Sequence, residues 1–251
     1  MDTSGVKVGR DSGAAARILT AAKELVLKRG VKGVTVAEIA ARAHVGKGTA
    51  YLYWPAKEDL VFGLFAREFL AFVDDEINAL TSEAELIRPH RLCPQLVRSA
   101  LDRPFVRAMV VDDADVLGAV AHHPRSEELR ATLNPAALLN AALPMWRRHG
   151  FVSTGGTAEE QAYGLQALMV GFSQMLSRTQ TPGDITVADP VRAMSAAVTA
   201  LLGEVPAGAA EVDAATKEGI GLLMERREAV SALVTARETE KAKASAPVQR
   251  G

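Results

Sequence analysis

The chain has 251 residues, of which 48% are hydrophobic and 24% charged, and its formal net charge is −1. That length can bury a core in one or two domains, and a single cysteine, Cys93, excludes an intramolecular disulfide framework and a cysteine-based zinc finger. No stretch approaches the roughly eighteen apolar residues of a membrane span, and the polar N-terminus is unlike a signal peptide, so we expect a cytoplasmic protein without membrane contact.

Alanine and leucine dominate, and the alternation typical of strands is scarce, so the sequence predicts an all-α fold. Residues 1–13 are polar and are expected to form a disordered arm. Apolar residues then recur at helical spacing from about Ala14 to Arg29, and Gly30 suits the left-handed position that ends a helix. The apolar face of this first helix is expected to cover the helices that follow.

Residues 34–60 have the pattern of a helix-turn-helix. Thr35 can cap a helix over 36–43, and Glu38 three residues later completes a capping box. A second helix over 47–54 is too short to be stable alone, so it must pack on its neighbours and leave its other face to water or a ligand. That face carries Lys47, Thr49, Tyr51 and Tyr53.

Charge is distributed unevenly along the chain. Residues 1–57 contain ten Lys or Arg and four Asp or Glu, a balance of +6, and the remainder therefore sums to −7. Such asymmetry is typical of chains that contact nucleic acid. The alternative is a basic helix surface that contacts only solvent, but the helix-turn-helix pattern favours nucleic acid.

Beyond the turn-helix pattern, the sequence predicts a long connecting helix from Lys57 to about Leu80, followed by helices that Pro and Gly interrupt. These are expected over 92–101, 105–111, 114–121, 126–149, 157–178 and 189–202, and from 210 into the 230s. Thr157 and Glu160 predict a second capping box. Residues 236–251 are of low complexity and are expected to be disordered.

One group of residues stands in a fixed register: Gly30, Thr35, Val45, Gly46, Lys47, Gly48, Thr49, Tyr51, Trp54, Pro55, Lys57, Glu58 and Leu60. Through it, residues 14–65 resemble the N-terminal DNA-binding domain of TetR-family bacterial transcriptional regulators. Gly46 stands where such domains often have serine, and Trp54 where they often have phenylalanine. The resemblance implies a three-helix DNA-binding domain over 14–56 and a larger helical effector-binding and dimerisation domain over 57–235.

Side-chain chemistry and the resemblance together predict DNA contacts along the second helix. Lys47 can donate to guanine O6 and N7 in the major groove. Tyr51 and Tyr53 can donate to phosphate oxygens, Gly48 lets the backbone approach closely, and Thr49 can contact a base or a phosphate. The alternatives are a solvated lysine at 47 and a packing role for Tyr51.

Four further residues are predicted at the same interface. Thr35 and Lys57 lie at helix N-termini, where free N–H groups and the helix dipole favour a phosphate. Arg42 and His44 are expected to assist from the second helix and the turn.

The resemblance implies a homodimer that binds a palindromic duplex operator and is released by a small-molecule effector, because one short helix reads only a few base pairs. The segments that match the family's dimer interface are 158–178 and 188–202. On the first, Gly164, Ala167 and Gly171 fall on one face and permit close helix approach. The same residues also suit packing inside the monomer.

The resemblance also implies a small-molecule pocket in the larger domain, and no cofactor is expected. Adaptable methionines and rigid aromatics suit an apolar site. The candidate walls are Phe105, Met109, Met145, Trp146, Met169 and Phe172. Plain core packing is the alternative for each of them.

Two alternative functions have weaker support from the sequence. A metal-assisted hydrolase would use the acidic and histidine cluster Asp112, Asp113, Asp115, His122 and His123. This cluster lacks the spacing of known zinc motifs, and no nucleophile stands with its base, so a solvated loop and a protein without enzyme activity are favoured. A nucleoid-type DNA binder without an effector would show little sequence preference and a steep salt dependence.

Overall fold

The computed structural model describes residues 8–113, 117, 127–128, 131, 135–179, 181, 183–203 and 205–244. Regular structure in these ranges is helical throughout, which confirms the all-α prediction. The helices are α1 (Val8–Arg29), α2 (Val36–Arg42), α3 (Lys47–Tyr53), α4 (Lys57–Ser82), the 3₁₀ helix η1 (Ala84–Ile87), α5 (Pro89–Leu101), α6 (Pro104–Val110), α7 (Pro135–Arg148), α8 (Ala158–Ser177), α9 (Pro190–Leu202) and α10 (Ala209–Ala244). Among them, none has both the length and the apolar character of a bilayer-spanning helix.

The chain divides into two compact units, and residues up to Glu68 form most of the first. In this unit α1 packs against α2 and α3. Helices α2 and α3 have seven residues each, which is too short for stability in isolation, so their burial against α1 holds them in place. The core side chains include Ile18, Ala22, Ile39, Ala50, Leu64 and Phe65, each at most 1% exposed.

Polar contacts join α1 to the first part of α4. The guanidinium of Arg67 donates to the Leu19 carbonyl oxygen at 3.2 Å and to the Thr20 hydroxyl at 3.3 Å. Lys23 Nζ lies 2.5 Å from Glu68 Oε2, and the glutamate is almost completely buried. Because a buried carboxylate is costly without a partner, this pair helps to fix the register of the two helices.

The second unit contains Phe69–Val111 and the chain from Glu128 onwards. Helix α5 packs against η1, α6, α8 and α9, while α8 also contacts α7 and α9. Helix α10 packs against η1 and α7. Trp146 is fully buried in this core, and its indole Nε1–H donates to the Ile87 carbonyl oxygen at 2.8 Å.

Most helix bounds agree with the sequence prediction to within three residues, but three differ more. Helix α1 begins at Val8 instead of Ala14, because a long helix can continue through Gly13 at a cost of only about 1 kcal/mol. Helix α7 begins at Pro135, which suits the first turn of a helix, and residues 127, 128 and 131 of the predicted span are also helical. Helix α10 continues to Ala244, into the segment expected to be disordered.

Two expectations fall largely or wholly outside the described residues. These are the helix over 114–121, of which only residue 117 is described, and the end of the tail, 245–251. Both remain predictions.

Candidate nucleic-acid interface and internal cavities

The N-terminus of α2 is fixed by the predicted capping box. The Thr35 hydroxyl oxygen accepts from the Glu38 backbone N–H at 3.3 Å, and Glu38 Oε2 accepts from the Thr35 N–H at 2.8 Å. Hydrogen bonds from Thr35, followed by one from Arg29, lower the pKa of Glu38 to about 2. Thr35 is therefore held as an exposed cap at the end of α2 whose dipole favours an anion.

The turn between α2 and α3 depends on a residue in the left-handed region. His44 has a φ of 54°, its N–H donates to the Ala41 carbonyl oxygen at 3.1 Å, and the next N–H, of Val45, donates to the Ala40 carbonyl oxygen at 3.0 Å. This pair of bonds is the Schellman motif, whose left-handed position usually holds glycine. The bonds that close the turn thus fix the exposed imidazole of His44 between the two helices.

Helix α3 turns Ala50 into the core and its opposite face to solvent. Lys47 Nζ lies 5.7 Å from the centre of the Tyr51 ring, within the range of a cation–π contact. Thr49 and Tyr53 are half-buried beside this pair. The structure therefore brings the predicted α3 residues together on one short helix, and its N-cap, Gly46, supplies no side-chain hydrogen bond.

The remaining predicted interface residues have neighbours of their own. Arg42 on α2 donates to Glu24 Oε2 through Nε at 2.9 Å and Nη2 at 2.7 Å. Lys57 is half-buried as the first residue of α4. Just before it, the Ala56 N–H donates to the buried carboxylate of Asp59 at 3.1 Å, which orders the start of α4.

Leu52 is a feature of α3 that the sequence prediction did not include. Its side chain is 75% exposed, which is unusual for a leucine beside a well-packed core. It follows Gly48 by four residues and so shares a helix face with it. That spacing was visible in the sequence as an apolar residue opposite the inward-facing Ala50.

A partly open cavity of about 170 Å³ lies in the second unit. Met109 and Met169, two of the predicted ligand-contacting residues, line it together. Its other walls are mostly apolar, and two polar side chains, Gln166 and Ser173, reach it. Such a mostly apolar space with few polar groups is typical of small-molecule sites.

The other four predicted wall residues do not line this cavity. Met145 and Trp146 are buried beside a smaller cavity of about 40 Å³. Phe105 is 1% exposed in the core, and Phe172 lines an open groove between α8 and α9. Helical spacing alone did not separate these locations, because each residue belongs to an apolar stripe.

The second unit also buries a carboxyl group that the sequence prediction missed. Glu76 on α4 is 1% exposed, and neither of its carboxyl oxygens accepts a hydrogen bond from any described residue. Burial raises the pKa of Glu76 and outweighs the Ser99 hydroxyl, which lowers it. The available signal was its place four residues after Phe72, inside an apolar stripe.

The groove between α8 and α9 exposes apolar side chains. Met175 is 47% exposed, and Ile185 and Val187, in the loop before α9, are 86% and 54% exposed. The small residues divide between two roles: a Cβ on Gly164 would lie 2.8 Å from Leu201 of the same chain, whereas one on Gly171 would meet nothing within 4 Å.

Most of the acidic and histidine cluster lies outside the described residues. Asp112 and Asp113 are described, whereas Asp115, His122 and His123 are not. In the described part of the chain, no three Asp, Glu, His or Cys side chains group closely enough to hold a metal ion.

Comparisons with known proteins identify the architecture. Residues 18–64 match the model of the family described as bacterial regulatory proteins, tetR family. The chain is 32% identical over 117 residues to the HTH-type transcriptional repressor KstR of Mycolicibacterium smegmatis, a match that covers 42% of this chain and 55% of that one. It is 27% identical over 163 residues to the repressor BepR of Brucella suis biovar 1, covering 62% and 76%.

A solved structure shares the fold of this chain. The crystal structure of a TetR-family regulator from Mesorhizobium loti aligns with a TM-score of 0.56 and 20% identity, covering 76% of this chain and 96% of that chain. The described helices, the capped turn-helix and these matches agree with one another. Residues 18–64 therefore form a DNA-binding domain of the tetR family of bacterial regulatory proteins, and the chain shares the fold of a TetR-family regulator.

Proposed function

We propose that this protein is a sequence-specific transcriptional repressor that binds a palindromic operator as a homodimer and is released by a small-molecule effector. The observation that carries the proposal is the exposed face of α3, where Lys47 and Tyr51 lie in cation–π contact on the helix that follows the capped α2. In this family of folds the second helix of the turn is the element that enters the major groove.

On α3, Lys47 reads a base edge, because an ammonium group can donate to guanine O6 and N7. Tyr51 and Tyr53 donate to phosphate oxygens, and Thr49 contacts a base or a phosphate. The cation–π contact holds Lys47 against Tyr51 before DNA arrives, which lowers the entropy lost on binding. Leu52, exposed on the face of Gly48, adds an apolar contact to a thymine methyl group.

Residues that flank α3 position the DNA-binding unit on the phosphate backbone. Thr35 and Lys57 act at the N-termini of α2 and α4, where the helix dipole attracts a phosphate. Arg42 and His44 supply further donors from the end of α2 and the turn. Arg42 shares its guanidinium between Glu24 and a phosphate, since one of its donor nitrogens has no part in the pair with Glu24.

Dimerisation is assigned to the groove between α8 and α9. Exposed apolar surface of this kind marks an interaction site in a protein of this size. The open space above Gly171 permits the close approach of a second helix. A two-fold axis through this surface would give the dimer two copies of α3, which together would recognise a palindromic DNA site.

Effector binding is assigned to the cavity that Met109 and Met169 line. An apolar molecule in this space would favour one arrangement of the surrounding helices and shift the population of dimers toward a spacing that does not fit the operator.

Selection of preferred duplexes from random DNA tests the proposal most directly. We expect an enriched palindrome with two short half-sites. Recovery without any enriched sequence, together with a steep loss of affinity as salt is raised, would instead identify a non-specific DNA binder.

Two substitutions then separate the roles on α3. Lys47→Ala should relax preference at one position of each half-site, whereas Tyr51→Phe should weaken binding to all sequences alike. Lys217→Ala, at an exposed lysine of α10, serves as the control. Loss of base preference in Tyr51→Phe, with a uniform loss in Lys47→Ala, would reverse the two assignments.

A further inference from the structure

The walls of the cavity that Met109 and Met169 line are uncharged. Among the described residues that line it, none is Asp, Glu, His, Lys or Arg, and all except Gln166 and Ser173 have apolar side chains. An ionised ligand in this space would lose its water without gaining an opposite charge, which is costly. The walls therefore favour a neutral ligand.

The two polar wall residues differ in what they can offer a ligand. Ser173 is 1% exposed, and its hydroxyl already donates to the Met169 carbonyl oxygen at 2.7 Å. Gln166 is exposed and yet lines the cavity, which places it at the opening. Its amide group carries both N–H donors and a carbonyl acceptor. Gln166 is therefore the wall residue best placed to hydrogen-bond to a ligand.

The size and the chemistry of the apolar walls suit an aromatic ring. The cavity has a volume of about 170 Å³, and an engineered apolar cavity of about 150 Å³ in another protein binds benzene. The rings of Phe69 and Phe72 line it with their centres 5.9 Å apart, tilted by 46°. Aromatic rings attract one another in such tilted arrangements, and the thioether groups of Met109 and Met169 also contact aromatic rings favourably.

We propose that this cavity binds neutral single-ring aromatic molecules, whose ring lies beside Phe69 and Phe72 and whose one polar group hydrogen-bonds to the Gln166 amide at the opening. This inference rests on the proposed effector function and names its ligand class. A charged group on the same ring would find no counter-charge in the described walls. A saturated ring of the same size would lose the aromatic and thioether contacts.

Titration calorimetry of the full-length protein with four matched probes tests the proposal. The probes p-cresol, toluene, 4-methylcyclohexanol and 4-methylbenzoate share one methyl-substituted six-membered ring. At neutral pH the phenol is uncharged and the benzoate is ionised. We expect p-cresol to bind about threefold to tenfold more tightly than toluene, which lacks the hydrogen bond. It should exceed 4-methylcyclohexanol by about threefold or more and 4-methylbenzoate by about tenfold or more.

Gln166→Leu assigns the hydrogen bond to this side chain, since it keeps a similar size and removes the amide. We expect it to lower the affinity for p-cresol by about threefold to tenfold and to leave the affinity for toluene nearly unchanged. Glu159→Leu, at an exposed residue of α8 that does not line the cavity, should leave all four affinities unchanged. Thermal unfolding of each variant verifies that it is folded.

The outcomes separate the ligand class from the function on which it rests. If 4-methylbenzoate or 4-methylcyclohexanol binds as tightly as p-cresol, or if no probe binds, the ligand class is wrong. A preference for p-cresol over toluene that persists in Gln166→Leu would refute the role of Gln166. If p-cresol binds as expected but leaves the affinity for the selected duplex unchanged, the ligand class stands and the effector function is overturned.

Discussion

Gly48 lies in the first turn of α3, and a methyl group on its Cα would meet nothing within 4 Å. The monomer therefore gives no packing reason for glycine, which lowers helix stability by about 1 kcal/mol relative to alanine. We predict that Gly48→Ala raises the free energy of unfolding by up to about 1 kcal/mol and weakens DNA binding by about tenfold or more. Chemical denaturation and binding to the selected duplex measure the two effects.

The prediction is informative because the two effects have opposite signs, whereas a simple folding defect would lower both the free energy of unfolding and the affinity for DNA. Gly221→Ala is the matched control: Gly221 is also helical and also open, but it lies on α10. It should raise stability and leave DNA affinity unchanged. If Gly48→Ala kept full affinity, close approach of the α3 backbone to DNA would be excluded.

Glu76 should make stability depend on pH. Because burial raises its pKa above the ordinary value of 4.5, the folded state holds the proton more tightly than the unfolded state. As pH rises from about 4.5 through the raised pKa, the folded state loses stability relative to the unfolded state, and the loss is complete above that pKa. We predict that Glu76→Gln removes this loss.

Thermal unfolding across this pH range gives the test. The difference in melting temperature between Glu76→Gln and the unmodified protein should grow in favour of the variant as pH rises, and then level off. The exposed Glu225→Gln should show no such trend. A constant difference for Glu76→Gln would mean that the carboxyl is solvated in the folded state.

At the scale of single elements, features that depend on neighbouring residues in the sequence were predictable, whereas features that depend on tertiary packing were not. The capping boxes at Thr35 and Thr157 were predictable because each depends on residues three apart, and both form. The left-handed His44 was not, since a non-glycine residue gives no signal for that conformation. The division of apolar stripes between core and cavity depends on which helices meet, so Met109 and Met145 looked equivalent in the sequence.

Helix α10 packs through a glycine whose role is also tertiary. A Cβ on Gly219 would lie 2.7 Å from Cδ1 of the fully buried Ile87, whereas a Cβ on Gly221, two residues on, would meet nothing within 4 Å. We predict that Gly219→Ala lowers the free energy of unfolding by about 1–2 kcal/mol, because overpacking outweighs the gain in helix propensity. Gly221→Ala on the same helix should raise it.

Denaturant midpoints of the two alanine variants measure this contrast. Equal stabilisation by both would show that Ile87 moves aside without strain, and α10 would then be loosely docked on η1. Destabilisation confined to Gly219→Ala would show that the contact between α10 and η1 is tightly packed.

At the scale of the whole molecule, one copy of α3 is too short to account for operator recognition. The proposed function therefore depends on the association of two copies of the chain. The basic segment 1–57 and the acidic remainder are consistent with a division of labour between a DNA-facing end and a partner-facing end. The sequence identified the helices at the partner-facing end but left open whether their small residues face a partner. Gly171, which has open space above it, is the position that can answer this.

We predict that Gly171→Arg yields a folded monomer. A Cβ at this position meets no atom of its own chain within 4 Å, but the arginine would place a charge and a bulky group in the apolar groove that a second copy must cover. Sedimentation velocity should show the loss of dimer. Affinity for the palindrome should fall by far more than affinity for a single half-site, because the two DNA-binding units no longer bind as one.

Gly221→Arg, at a second open helical glycine, should remain dimeric with full affinity. A dimeric Gly171→Arg would move the interface away from α8 and α9, whereas a monomer that still bound the palindrome with full affinity would show that dimerisation is not required for reading it.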